Sequence, residues 1–263
     1  MVTATIDVPH FQMGRVTNRT FNVIGHNLAT FAILSLLVAI PMLIMQFGLS
    51  RFSSGVVANG ELNFSALGVV AIAVIVWLLS TFLLQAGLIH GTVTYLNGKN
   101  ARVADCLSTA LTALVPLFLL TILMLLGIFV GALLLIVPAI MLAVMWSVAV
   151  PACVTERTGV VGALKRSREL TRGHRWAVFG LFIAFGILNV AIALAFSVAS
   201  GTPLAATSSV EAAAALTPLQ AVASVLGSTI NAVIGATLVA SIYYELRVLK
   251  DGIGPQALAA VFD

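Results

Sequence analysis

Charge is what this sequence has least of. Lys and Arg number 13 and Asp and Glu 9, together 8% of 263 residues. An ordinary soluble domain carries about 25% charged residues. With 60% hydrophobic residues the chain could not cover its own core in water, which excludes a soluble fold. Cysteine is nearly absent. Cys106 and Cys153 are the only two, too few for a disulfide scaffold and without the clustered His or Asp of a metal site. Enzyme signatures are missing as well. There is no Gly-x-Ser-x-Gly, no P-loop, no His-Glu-x-x-His and no Gly-x-Gly-x-x-Gly after a strand. The sequence therefore reads as non-enzymatic, with no catalytic residue, cofactor or metal ligand.

What the chain has is apolar length. Five stretches carry no charge: 20–50, 62–98, 106–155, 176–210 and 212–244. A bilayer-spanning helix needs about 20 apolar residues. Four stretches fit one helix each, and 106–155 fits two. The fold class is all-α: a polytopic membrane protein of about six spans forming one integral membrane domain over 1–263.

Six spans put both termini on one side. Every Lys and Arg except Arg51 then falls on that side. Basic residues of short loops stay cytoplasmic, so the N-terminal segment 1–28, the segment 156–175 and the tail 245–263 are predicted inside. The predicted location is a bacterial inner membrane, with no cleavable signal peptide. The basic balance, +4 net, follows topology and faces anionic headgroups. It does not call for nucleic acid.

The spans are placed near 29–49, 66–89, 114 onward, up to 154, 176–200 and 219–244, with external loops at 50–65 and 201–218. Pro41 is expected to bend the first span and Pro116 to sit in the first turn of the third. The turn between spans 3 and 4 falls between Gly127 and Pro138. Two basic amphipathic helices, 11–28 and 160–175, are expected in the headgroup plane. They share a spacing: Gly25-His26-x-x-Ala29-x-Phe31 recurs as Gly173-His174-x-x-Ala177-x-Phe179. The spacing suggests a threefold repeat of interfacial helix and helix pair, with 103–114 as the middle copy.

Candidate site residues fall in three groups. Lys165, Arg166, Arg168, Arg172 and Arg175 form a basic collar suited to lipid headgroups. Glu156 and Glu245 end spans 4 and 6 beside Arg157 and Arg247, and are expected to form structural ion pairs with the collar. Asn189 and Asn231 are the most polar mid-span residues, read as interhelical hydrogen-bonding groups or as the lining of a pathway. No Asp, Glu, Lys or Arg lies in the middle of a span, which weakens ion-coupled transport. Gly87-x-x-x-Gly91 and Gly127-x-x-x-Gly131 are candidate close-packing faces.

Three stretches together carry a resemblance. They are Pro151-Ala-Cys-Val-Thr-Glu156-Arg-Thr-Gly159, Ala163-Leu-Lys-Arg166-Ser167-Arg-Glu-Leu170-Thr-Arg-Gly173 and Tyr243-Tyr244-Glu245-Leu-Arg247-Val-Leu-Lys250-Asp-Gly252. The pattern resembles bacterial inner-membrane proteins that include the membrane domain of glycerophosphoryl diester phosphodiesterases and the stand-alone YciC-like proteins. In that group the phosphodiesterase activity belongs to a separate soluble barrel, for which this chain has no counterpart, so no catalytic residue carries over. The resemblance implies an all-helical membrane protein linked to lipids or the envelope. The expected function is non-catalytic: binding of membrane lipids at the anionic inner leaflet, or of a larger membrane complex, in an accessory or envelope-organising role. The alternative is a transporter or translocator of a lipid or small amphiphile.

Overall fold

The computed structural model describes residues 11–52, 57–58, 61–62, 64–201 and 217–252. It is all-α apart from a two-residue antiparallel ladder, β1 (Val57–Ala58) with β2 (Glu61–Leu62). In chain order the helices are α1 (Met13–His26), α2 (Leu28–Phe52), α3 (Phe64–Leu96), α4 (Val103–Leu134), α5 (Ile136–Met145), α6 (Ala149–Glu156), α7 (Gly159–Thr171), α8 (Arg175–Ser200) and α9 (Pro218–Asp251). Among the described residues five spans are long and apolar enough to cross a bilayer. The pair α1–α2, bent by 79°, supplies a sixth. The external loops of the sequence reading and the end of the tail lie mostly outside the described residues.

Length explains the architecture. At 33, 32 and 34 residues, α3, α4 and α9 are about 48–51 Å long. The hydrocarbon core is about 30 Å thick, so these helices overshoot it. Apart from Arg51 and Glu61, the described Arg, Lys, Asp and Glu residues gather at one end of these helices, hereafter the charged end. There α1, α6 and α7 pack around the long helices. The core draws Val16, Phe31, Leu88, Cys106, Ala152 and Leu170 from six different helices, all near this end. The opposite half is splayed. Leu133, Ile136 and Val198 are more than 70% exposed, as suits side chains whose solvent is lipid. Helices in lipid gain little from apolar burial, whereas the protruding end can use the hydrophobic effect.

Several boundaries differ from the sequence reading. The third span does not begin near Leu114 with Pro116 in its first turn. α4 runs unbroken from Val103, with Asp105 in its first turn and Pro116 inside it. The middle copy of the proposed repeat therefore has no elbow. The outer copies do have one: α1 ends at His26 with Asn27 as its cap, and α7 and α8 are parted by Arg172, Gly173 at φ 93° and His174. α2 continues through Pro41 to Phe52. α9 does not stop at Tyr244 but runs to Asp251. It opens on a capping box in which Thr217 and Gln220 bond reciprocally, with Pro218 at its first position.

α7 also departs from expectation. It doubles back along α6 instead of lying across the end of the bundle. The break after α5 frees the Met145 carbonyl, and the Ser167 hydroxyl donates to it at 2.8 Å, with Thr171 at 3.3 Å. The α6–α7 turn is tight: Arg157 is left-handed at φ 50° and Gly159 has φ 74°.

The turn from α4 to α5 is at Leu135, inside the predicted window. The glycines make the hairpin close. A Cβ on Gly131 would lie 3.2 Å from the Ala139 Cα, and one on Gly127 would overlap the Trp146 indole. Gly91 likewise lies beside Phe31 and the Cys106 sulfur. Gly127→Ala should therefore cost about 1–3 kcal/mol by overpacking. Thermal unfolding in detergent will show it, and Trp146→Leu in the same chain should recover part of the loss. Equal stability of Gly127→Ala and the unaltered chain would rule out this contact.

Candidate functional site

The three stretches that carry the resemblance meet at the charged end. Glu156 closes α6, and Arg166 stands across the hairpin on α7. The Arg166 Nε donates to both Glu156 carboxylate oxygens at 3.1 Å. Its Nη2 makes a short contact with Asp251 of α9. Tyr243 of α9 donates its hydroxyl to Glu156 Oε1 at 2.7 Å, and its oxygen lies 2.9 Å from the Thr155 hydroxyl. Arg247 completes the row at 3.7 Å from Asp251. Thr155, Tyr243, Glu156, Arg166, Asp251 and Arg247 thus form one continuous chain across three helices.

Charge balances within this chain, two arginines against two carboxylates. Burial by itself would pull the Arg166 pKa down. The hydrogen bonds and charges of Asp251 and Glu156 outweigh it and push the pKa above its ordinary value. A raised pKa on a cation keeps its contribution at every pH below the already high unfolded value. Arg166 therefore stays charged, and its own titration adds no pH dependence near neutrality.

Glu245 does not join this network, contrary to the expectation that it would pair with the 166–175 collar. It is fully buried and faces α1. Arg15 Nη1 lies 3.3 Å from one carboxylate oxygen and Arg19 Nη1 holds the other. The Arg19 guanidinium also sits over the Tyr244 ring, 5.4 Å from its centre. Helix geometry is the reason. Glu245 is two residues, about 200°, from Tyr243, so the two point to opposite sides of α9. Tyr243, Arg247 and Asp251, spaced by four, share the face toward α6 and α7. That spacing was available in the sequence, as was the Arg15 and Arg19 pair four apart on α1.

The remaining collar residues have different surroundings. Lys165, Arg168 and Arg172 are exposed and make no ion pair among the described residues. Arg175 is half-buried at the start of α8. Exposed Lys99, Arg102, Arg157 and Lys250 extend the basic surface, against exposed Asp105 and Glu169. The two motif histidines stack on aromatic rings: His26 on Tyr95 at 5.9 Å and His174 on Phe11 at 5.7 Å.

Asn189 and Asn231 lie away from this end. Phe196 packs on Gly227 and Phe185 on Gly235, so α8 and α9 run antiparallel with the two asparagines at one level. Both are half-buried. The Asn231 side-chain oxygen has no hydrogen-bond partner among the described residues, so it makes no interhelical bond to them. Cys106 and Cys153 are free, buried thiols.

Removing the Tyr243 hydroxyl tests the network at one atom. Tyr243→Phe leaves Glu156 with Arg166 and should cost about 1–2 kcal/mol. In that background Thr155→Val should cost less than in the unaltered chain, because only the hydroxyl's bond to the Pro151 carbonyl, 2.7 Å, is left to lose. Fully additive losses in a double-mutant cycle would show that the hydroxyl chain does not act as a unit.

These spans and their asymmetric packing define an all-α, multi-pass membrane protein. Its family follows from comparison. The model of a domain of unknown function, DUF7847, matches residues 101–246, more than half of the chain. The chain belongs to that family. The matched region takes in Glu156, Arg166, Tyr243 and Glu245, while Arg15, Arg19 and Asp251 fall outside it. No curated protein and no solved structure matches the chain.

Proposed function

We propose that this is a non-catalytic protein of the bacterial inner membrane whose charged end faces the cytoplasm and binds anionic lipid or a larger membrane complex. On this reading both termini are cytoplasmic and the role is accessory or envelope-organising. The observation that carries it is how the charges are divided. Glu156, Glu245 and Asp251 are all engaged by arginines, which commits them to holding helices together. Lys165, Arg168 and Arg172 are left exposed as surplus positive charge. Each basic residue near an anionic surface contributes about 1 kcal/mol. The resemblance to bacterial inner-membrane proteins, which implies a link to lipids or the envelope, supports the same reading.

Extraction in polymer-bounded discs, followed by lipid mass spectrometry, tests it. The unaltered chain should carry anionic lipid enriched over the bulk membrane. Lys165→Gln/Arg168→Gln/Arg172→Gln should reduce that enrichment. Bulk composition around the unaltered chain would count against lipid selection by the collar.

A second reading, translocation of a lipid or small amphiphile, is favoured by one feature. An apolar groove of about 400 Å³ separates α2 from α9, with Phe31, Ser35 and Ala39 facing Leu226, Thr229 and Val233. Faster flip of fluorescent lipid in proteoliposomes than in empty vesicles would favour this reading over the accessory one.

A further inference from the structure

Arg175 has no counter-ion among the described residues. Its Nε is buried without a hydrogen-bond partner, and it takes part in none of the ion pairs that hold Arg15, Arg19, Arg166 and Arg247. A donor withdrawn from water without an acceptor is costly even on a half-buried side chain. Its neighbour Trp176 is 85% exposed, as an indole at a membrane–water boundary would be. The arginine lines a groove of about 290 Å³ between α5 and α8, whose walls include Val137, Ile140, Met141 and Phe179. From Val137 to Val144 the groove follows about 10 Å of α5. α8 is the least buried of the five single-pass segments, so the described residues do not fill the space beside it.

This combination selects its occupant. A free inorganic anion would find one cation and then a wall of hydrocarbon. A purely apolar molecule would leave the guanidinium unpaired. A gap between two spans in a bilayer is filled by acyl chains, because nothing else apolar is present there. We propose that this groove binds one anionic phospholipid, with its phosphate on the Arg175 guanidinium and one acyl chain against Ile140, Met141 and Phe179. The proposal rests on the lipid-binding reading above and narrows it to one site.

Native mass spectrometry of the purified full chain, titrated with phosphatidylglycerol or phosphatidylcholine, tests it. The expected result is one phosphatidylglycerol adduct that forms more tightly than phosphatidylcholine. Arg175→Gln should weaken it about tenfold, the loss of one charge-assisted contact. Arg175→Lys, which keeps the charge but loses the forked donor, should weaken it less. Ile140→Trp, which fills the slot and leaves Arg175 in place, should also weaken it. An adduct unchanged by both Arg175→Gln and Ile140→Trp would overturn the groove. Loss of the adduct in Lys165→Gln/Arg168→Gln/Arg172→Gln but not in Arg175→Gln would keep the collar and overturn the groove. No preference for phosphatidylglycerol in the unaltered chain would overturn both.

Discussion

Replacing Arg15 and Arg19 together by Met should destabilise the protein more than replacing Glu245 by Gln. The asymmetry comes from burial. The Glu245 side chain is 0% exposed, while those of Arg15 and Arg19 are 39% and 28% exposed. Without its arginines the Glu245 carboxyl is left inside the core with neither a cation partner nor exposure to water. Stranding a buried charge costs about 3–5 kcal/mol. Without Glu245 the two arginines can turn outward into solvent, and the loss is smaller. The triple change, Arg15→Met/Arg19→Met/Glu245→Gln, should recover much of the double change's deficit, because no buried charge is left. Thermal unfolding in one detergent, at fixed salt, ranks the three variants. If Glu245→Gln proves the most damaging, the buried carboxylate is not what α1 is there to satisfy.

The second large effect belongs to Arg166. Among the described residues it alone touches carboxylates of both α6 and α9, through Glu156 and Asp251. Arg166→Met keeps the apolar stem and removes every donor, leaving two carboxylates without their shared cation. Hydrogen bonds to charged groups contribute about 1.5–3 kcal/mol each, so a loss of about 3 kcal/mol is expected. Lys in its place keeps the charge but not the fork that spans Glu156 and reaches Asp251, and should recover only part. Lys165→Met, one residue away and exposed, serves as the control and should change stability little. Similar losses at both positions would mean that the collar acts through its total charge and not through this network.

The sequence was most informative where one property repeats along the chain. Charge-free runs separated by basic patches revealed the spans, since bilayer thickness leaves few other ways to house such runs. The turn near Leu135 was bracketed, although no charge marks it, because Gly127 and Pro138 bound it. Reading failed where the answer depends on helix phase or tertiary contact. Glu156 and Glu245 look alike in sequence, each a carboxylate near arginines at the end of a span. Their partners differ because each side of α9 meets a different neighbour: α6 and α7 at Tyr243, α1 at Glu245. Pro116 looked like a helix start because proline favours the first turn. In α4 the helix tolerates it in the interior, well beyond Asp105. The amphipathic pattern of α7 was legible, but a helix that packs on α6 and one that lies on lipid need the same apolar stripe. Only the free Met145 carbonyl, a product of the break between α5 and α6, distinguishes them. The lone Arg175 groove had no sequence signal beyond the arginine itself, because its walls come from two helices, α5 and α8, that are parted in the chain by α6 and α7.

The claim on which the functional account depends is that the charged end faces the cytoplasm. Reporter fusions after Ser65, Lys99, Lys165 and Ala214 measure this directly, by pairing one reporter active only inside with one active only outside. The account predicts inside for Lys99 and Lys165 and outside for Ser65 and Ala214, as the positive-inside rule requires. The opposite sidedness at any two of these sites would contradict it, because the basic surface would then face away from the anionic inner leaflet.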